Sequence, residues 1–148
     1  APLLLFAKDE EIVGLAKREA KLTHFDPLAG QASAISLLIC QYLLQNISFK
    51  NIEFNIKDVF GREFLLGNED LDTSGYAPRV IEASWYFLCH TTNFEEALNA
   101  SLKFAGNANY CPVLVGLWAA CLYKEVPQHC LKHPLCPPNS NSIEKCIG

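Results

Sequence analysis

Methionine is absent from the 148 residues, the first position included, and the chain opens directly on Ala-Pro-Leu-Leu-Leu-Phe. Both features are expected of a piece of a longer protein. The apolar opening Ala1–Ala7 has no basic residue ahead of it and is too short for a secretory leader. No apolar run continues for the roughly eighteen residues of a membrane span without a polar interruption, so no membrane partner is expected. Charge is sparse: 19% of residues are charged, the formal net charge is −4, and the lysines and arginines form no stripe. That pattern argues against a nucleic-acid partner, which needs a clustered basic face. The sequence has no glycine-rich phosphate loop and no Gly-x-Ser-x-Gly elbow. Cysteine is plentiful, at seven, but the count is odd and the spacing does not repeat. A secreted disulfide framework would show paired, regular spacing, so reduced thiols in an intracellular, cytoplasmic protein are expected. His129, Cys130, His133 and Cys136 match no zinc-pair spacing and read as a chance cluster.

What the chain does have is apolar helical pattern. Half of its residues are hydrophobic, and a chain of this length buries about 68–70% of its unfolded surface. One domain with a real core is expected, covering 1–133, with an irregular tail over 134–148 where prolines, asparagines and serines collect. Ile12, Leu15, Ala16 and Ala20 repeat at helical spacing and predict a helix from Asp9 to Thr23. Asp26 and Pro27 are a cap and a first residue for a second helix reaching Gln45. Its apolar positions, from Leu28 through Ile35, Leu38 and Ile39 to Leu43, cover a broad face. Between Ile47 and Thr73 the pattern weakens. Phe49, Ile52, Phe54 and Ile56 alternate loosely, and one short helix near Lys57–Phe64 is expected there. Glu69, Asp70 and Asp72 read as a solvated turn. Pro78 starts a helix to about His90, and Asn93 caps another whose inward positions are Phe94, Ala97, Leu98, Leu102 and Phe104. An apolar helix over Val113–Tyr123 and a short one over Gln128–Lys132 follow. Two glycosylation-type triplets, at Asn46 and Asn99, read as chance matches.

The corner before Val113 draws the eye. It runs Phe-Ala-Gly-Asn-Ala-Asn-Tyr-Cys-Pro, with Gly106 free to turn and Pro112 suited to a helix start. Asn107 and Asn109, two apart beside a helix N-terminus, could offer oxygens to a cation or a phosphate. The plainer reading is that both only cap and turn.

These pieces, taken together and in order, resemble the ADP-ribosylglycohydrolases. They are Ala-Pro-Leu at the start, Leu22-Thr23-His24, the Gly75-Tyr76 step ahead of Glu82-Ala83-Ser84-Trp85, and the Gly106–Tyr110 corner. The resemblance spans about Ala1 to His133. It implies an all-α fold, the C-terminal portion of an orthogonal helical bundle of that family, with the domain's first half lying ahead of this segment. It implies a family chemistry of hydrolysis at the anomeric carbon of ADP-ribose, with two Mg²⁺ ions held by carboxylates. It also places His24 as a contact near the phosphates and Gly75 and Tyr76 as contacts near the ribose. A histidine bridging two helices and an ordinary Gly-Tyr turn are the structural alternatives for those positions.

The match departs from the family where the metals should bind. The family's corner is Gly-Asp-x-Asp-Thr/Ser; here Asn107 and Asn109 replace both acids and Tyr110 replaces the hydroxyl residue. Neutral amides hold Mg²⁺ poorly, and each lost charge beside a cation matters by roughly several kcal/mol. No cofactor is therefore expected in this chain, and no catalytic residue can be named. The expectation is a degenerate member that binds an ADP-ribose-like small molecule without hydrolysing it. Two alternatives stand beside it: an active hydrolase completed by a missing N-terminal half, and a non-catalytic structural protein of the crystallin type. The two apolar helices, Gln31–Leu43 and Val113–Tyr123, further predict a covering chain segment or self-association.

Overall fold

The computed structural model describes residues 9–64, 66–67, 69–105 and 110–131. Among these the chain is all-helical, as expected, with no strand. The helices are α1 (Asp9–Ala20), α2 (Pro27–Leu44), α3 (Phe49–Phe60), α4 (Ala77–Cys89), α5 (Phe94–Ala105), α6 (Tyr110–Tyr123) and α7 (Gln128–Leu131), with a 3₁₀ turn at Gly61–Glu63 after α3. The tail from 134, and with it His133 and Cys136, lies outside the described residues. So do Gly106, Asn107, Ala108 and Asn109.

The central element is α2. Asp26 caps it by accepting a 2.9 Å hydrogen bond from the Leu28 amide, and Pro27 fills a position whose N–H needs no partner. Every residue from Ala34 to Cys40 is buried, because α1, α3, α4 and α6 all pack against the helix. Gly30 faces α1 closely: a Cβ there would lie 3.4 Å from the Lys17 Cα, in contact with it. The helix closes on Asn46, whose φ of 58° is left-handed. The Ile47 amide reaches Tyr42 O at 2.9 Å and the Asn46 amide reaches Leu43 O at 3.0 Å, the paired bonds of a Schellman cap. Asn46 thus has a structural role in its triplet; Asn99 lies exposed within α5. With 18 residues and a mean hydropathy of 1.3, α2 does meet the length and composition of a membrane span, contrary to the sequence reading. Its apolarity is also what a helix surrounded by protein requires, and half of it is buried in the fold.

Two further expectations change. The stretch after Ile47 is a full helix, α3, and not a loop with a short helix near Lys57. Ser48 caps it, accepting from the Asn51 amide. Ile52 and Ile56 form its buried stripe, while Phe54, which suggested alternation, is 69% exposed. In α5 the expected inward residue Leu102 is 49% exposed. Ser101 takes the core position instead, with its hydroxyl donating to Leu98 O at 2.8 Å. Helix ends also shift: α1 stops at Ala20, and α6 begins at Tyr110, which puts Pro112 third in the helix, still inside the turn whose amides lack intrahelical acceptors.

Aromatic rings join the helices across the core. Phe49 of α3 meets Trp85 of α4 edge to face at 5.3 Å, and Trp85 meets Trp118 of α6 at 6.3 Å. Both indoles are fully buried, and each N–H is satisfied: Trp85 donates to Glu53 Oε1 at 2.9 Å and Trp118 to Ser36 O at 3.2 Å. Cys40 and Cys111 are buried in the core, and Cys89 is half-buried against it. Burial pushes the Cys89 thiol up to about 12 and raises that of Cys111.

Candidate functional site

A cleft of about 500 Å³ opens between α2, α4 and α6. Its floor is apolar, built from Leu37, Val80, Ile81, Leu114 and Leu117, and its polar lining comes from Glu19, His24, Ser33, Ser36 and Tyr110. Gly75 and Val113 complete the mouth. Three positions singled out in the sequence therefore converge, although they come from three separate segments.

His24 arrives from the turn after α1. The amides of Leu22, Thr23 and His24 bond back to Glu19 O and Ala20 O at 2.8–3.1 Å, which brings the chain round to the cleft. Thr23 Oγ1 and His24 Nδ1 then share a 2.8 Å hydrogen bond. The Thr-His pair so orients its own ring, and the bond is to a neighbour in sequence, unlike the bridge between helices considered above. Flanking Leu22 and Phe25 are 83% and 104% exposed.

Gly75 comes from the loop leading into α4. Asp72 shapes that loop: its Oδ1 accepts from the Ser74 amide at 2.7 Å, and Arg79 Nε stands 3.5 Å from Oδ2. The Ser74 bonds hold the Asp72 carboxyl below its ordinary value, with Arg79 adding to the effect. Arg79 in turn pairs with the buried Glu82 at 2.9 Å. The acidic turn is exposed at Glu69, Asp70 and Asp72, as expected, and Arg79 also holds the Asp72 carboxylate. Gly75 lies close to the Tyr110 ring: a Cβ there would sit 3.4 Å from Tyr110 Cε2, in van der Waals contact.

Tyr110 opens α6. Ser84 secures that end, since its Oγ lies 2.6 Å from Val80 O and 3.3 Å from Cys111 O. With a ring edge near Gly75, Tyr110 remains 60% exposed. Tyr76 does not join this group. It caps α4 through its backbone, is 54% exposed and does not line the cleft. Asn107 and Asn109, the remaining positions of interest, lie outside the described residues.

Glu19, Ser33 and Ser36 were not foreseen as lining residues. Ser33 and Ser36 carried a faint signal, being hydroxyls three apart on an otherwise apolar helix. Glu19 carried none, because its place depends on how α1 docks. Among the described residues no group of three or more His, Cys, Asp and Glu side chains comes together as a metal would need.

No curated protein and no solved structure matches the chain. The family model for ADP-ribosylglycohydrolase does match, over residues 1–135. That match takes in the turn carrying His24, the Gly75 loop and the Tyr110 end of α6, so the cleft is built within it. The chain belongs to the ADP-ribosylglycohydrolase family.

Proposed function

We propose that the chain is a degenerate member of this family, binding an ADP-ribose-like ligand in the α2–α4–α6 cleft without hydrolysing it. The observation that carries the reading is the convergence of His24, Gly75 and Tyr110 on one cleft of about 500 Å³. That volume lies in the range of small-molecule sites, and the mixture of apolar floor and few polar groups is typical of them.

The residues at hand do not fit a pair of Mg²⁺ ions. Such ions keep their waters unless anionic oxygens replace them, and two-metal centres depend on several carboxylates. Glu19 is the one carboxylate among the described lining residues. Tyr110 stands where the family has a small hydroxyl residue, and the corner's acids are Asn107 and Asn109 in the sequence. Binding by this chain is accordingly expected to rest on neutral polar and apolar contacts.

Calorimetric titration of the chain with ADP-ribose, in EDTA and then in Mg²⁺, tests the reading alongside turnover of ADP-ribosylated protein. The expected result is the same affinity in both buffers and no release of ADP-ribose. Binding that requires Mg²⁺, or clear turnover, overturns it in favour of an active hydrolase. A folded chain that binds nothing overturns it in favour of a structural role.

A further inference from the structure

We infer that Cys40 of α2 and Cys121 of α6 are a redox-modification site: a peroxide converts them to a disulfide that ties the two helices together beside the cleft. The helices are already held against each other there. The Trp118 indole of α6 donates to Ser36 O of α2 at 3.2 Å, and each cysteine stands about one turn further along its own helix. Ser36, Leu37 and Leu117, just before them, line the cleft. Both cysteines belong to the same packed core, and both are free thiols. Their side chains are joined by a hydrogen bond between the two sulfurs. Cys40 is fully buried and Cys121 only half-buried, so a small oxidant from solvent meets Cys121 first.

The contact also divides the chemistry between the two. The Cys40 thiol donates to the Cys121 sulfur, which lowers the Cys121 value against the opposing effect of burial. The same bond, together with burial, raises that of Cys40. A thiolate, not a thiol, is the nucleophile in such oxidation, so Cys121 reacts first and Cys40 resolves. The Cys121 thiolate attacks one oxygen of hydrogen peroxide and the O–O bond breaks. The departing hydroxide takes up the proton that Cys121 had lost, leaving water and a sulfenic acid on Cys121. The Cys40 sulfur then attacks the Cys121 sulfur, the S–O bond breaks, and the Cys40 proton leaves with the hydroxyl as a second water. Two thiols lose two electrons and one peroxide gains them. Burial raises the Cys89 and Cys111 thiols, which keeps them protonated and slow toward peroxide. The new bond closes a loop of roughly 80 residues, long enough for closure to stabilise the fold.

Peptide mapping of the full chain after hydrogen peroxide treatment tests the inference, with remaining thiols blocked by N-ethylmaleimide in denaturant before digestion without reductant. The parent is expected to yield a Cys40–Cys121 cross-link that dithiothreitol reverses, and its urea midpoint is expected to rise by about 1 M or more on oxidation. Cys121→Ala is expected to lose the cross-link and leave Cys40 unmodified. Cys40→Ala is expected to lose it too, and to carry a sulfenic acid at Cys121 that dimedone traps. Circular dichroism checks folding; should a variant not fold, the parent's map and midpoint decide alone. Four results overturn the inference. These are both cysteines of the treated parent remaining open to N-ethylmaleimide, either one pairing with a different cysteine instead, Cys40 carrying the sulfenic acid in Cys121→Ala, and a cross-link that leaves the midpoint unchanged or lowers it. None of them bears on the ligand reading, which has its own titration.

Discussion

The aromatic side chains of this protein divide into an inner set and an outer set that behave as different materials. Phe49, Trp85 and Trp118 form a continuous edge-to-face series through the core, and the two indole N–H groups are spent on Glu53 and Ser36. Phe25, Tyr76 and Tyr110 keep more than half of their surface in solvent, and Tyr110 lines the cleft. The inner rings return stability, through buried area and satisfied polar atoms. The outer rings return little, since their apolar surface stays wet. Tyr110, left in water beside the cleft, keeps contact area free for something else to cover.

If the division holds, its inner half should fail hardest. Trp118→Ala removes a fully buried indole and opens a cavity between α2, α4 and α6, and should cost about 3–5 kcal/mol. Urea denaturation followed by circular dichroism reads this directly as a lowered midpoint with little change in slope. A loss below about 1 kcal/mol would mean that the two sets do not differ as drawn. Next in size is the polar end of Trp85. Glu53→Ala leaves its buried N–H without the 2.9 Å acceptor, at a cost of about 1–3 kcal/mol. Glu53→Gln keeps an acceptor oxygen and should recover part of that loss.

What could be read from the sequence follows the same division. The core helix α2 was legible because its signals are local: Asp26 and Pro27 at the start and an apolar face along its length. α3 was not, and one residue explains the failure. Phe54 falls between Ile52 and Ile56 and mimics a two-residue alternation, yet it points to solvent, and the true stripe is Ile52 and Ile56. Leu102 and Ser101 exchanged places for a related reason, since composition ranks leucine inward while the helical phase decides otherwise. In the cleft, His24 and Gly75 were legible through their motifs. Glu19 and Ser33 were not, because only the docking of α1 and α6 against α2 brings them to one wall.

The outer rings give the third prediction, an effect on stability close to zero. Tyr110→Ser and Phe25→Ser should each stay within about 0.5 kcal/mol of the parent in the same denaturation experiment, as surface changes generally do. A larger loss for Tyr110→Ser would show that the ring is part of the fold's own packing. The ring would then belong with the inner set.

The finest effect lies at the start of α5, a surface feature made of hydrogen bonds alone. Glu96 accepts from both the amide and the hydroxyl of Thr92 at 2.8 Å, while its own amide donates to Asn93 Oδ1 at 2.9 Å. This is a reciprocal cap close to the capping-box pattern. The Thr92 amide, and then its hydroxyl, hold the Glu96 carboxyl below its ordinary value. A carboxyl depressed on folding binds its proton more readily in the unfolded chain. Its stabilising effect is therefore complete above the ordinary glutamate value of about 4.3 and is lost as pH falls through the lowered folded value. Glu96→Gln should thus lower the melting temperature slightly at pH 7, with the gap to the parent closing as the scans move into acid. A gap that stays constant down to low pH would place the effect in the side chain's shape rather than its charge. Because this group is solvent-exposed, salt should also narrow the gap at pH 7, whereas the Trp118 loss should not respond to salt.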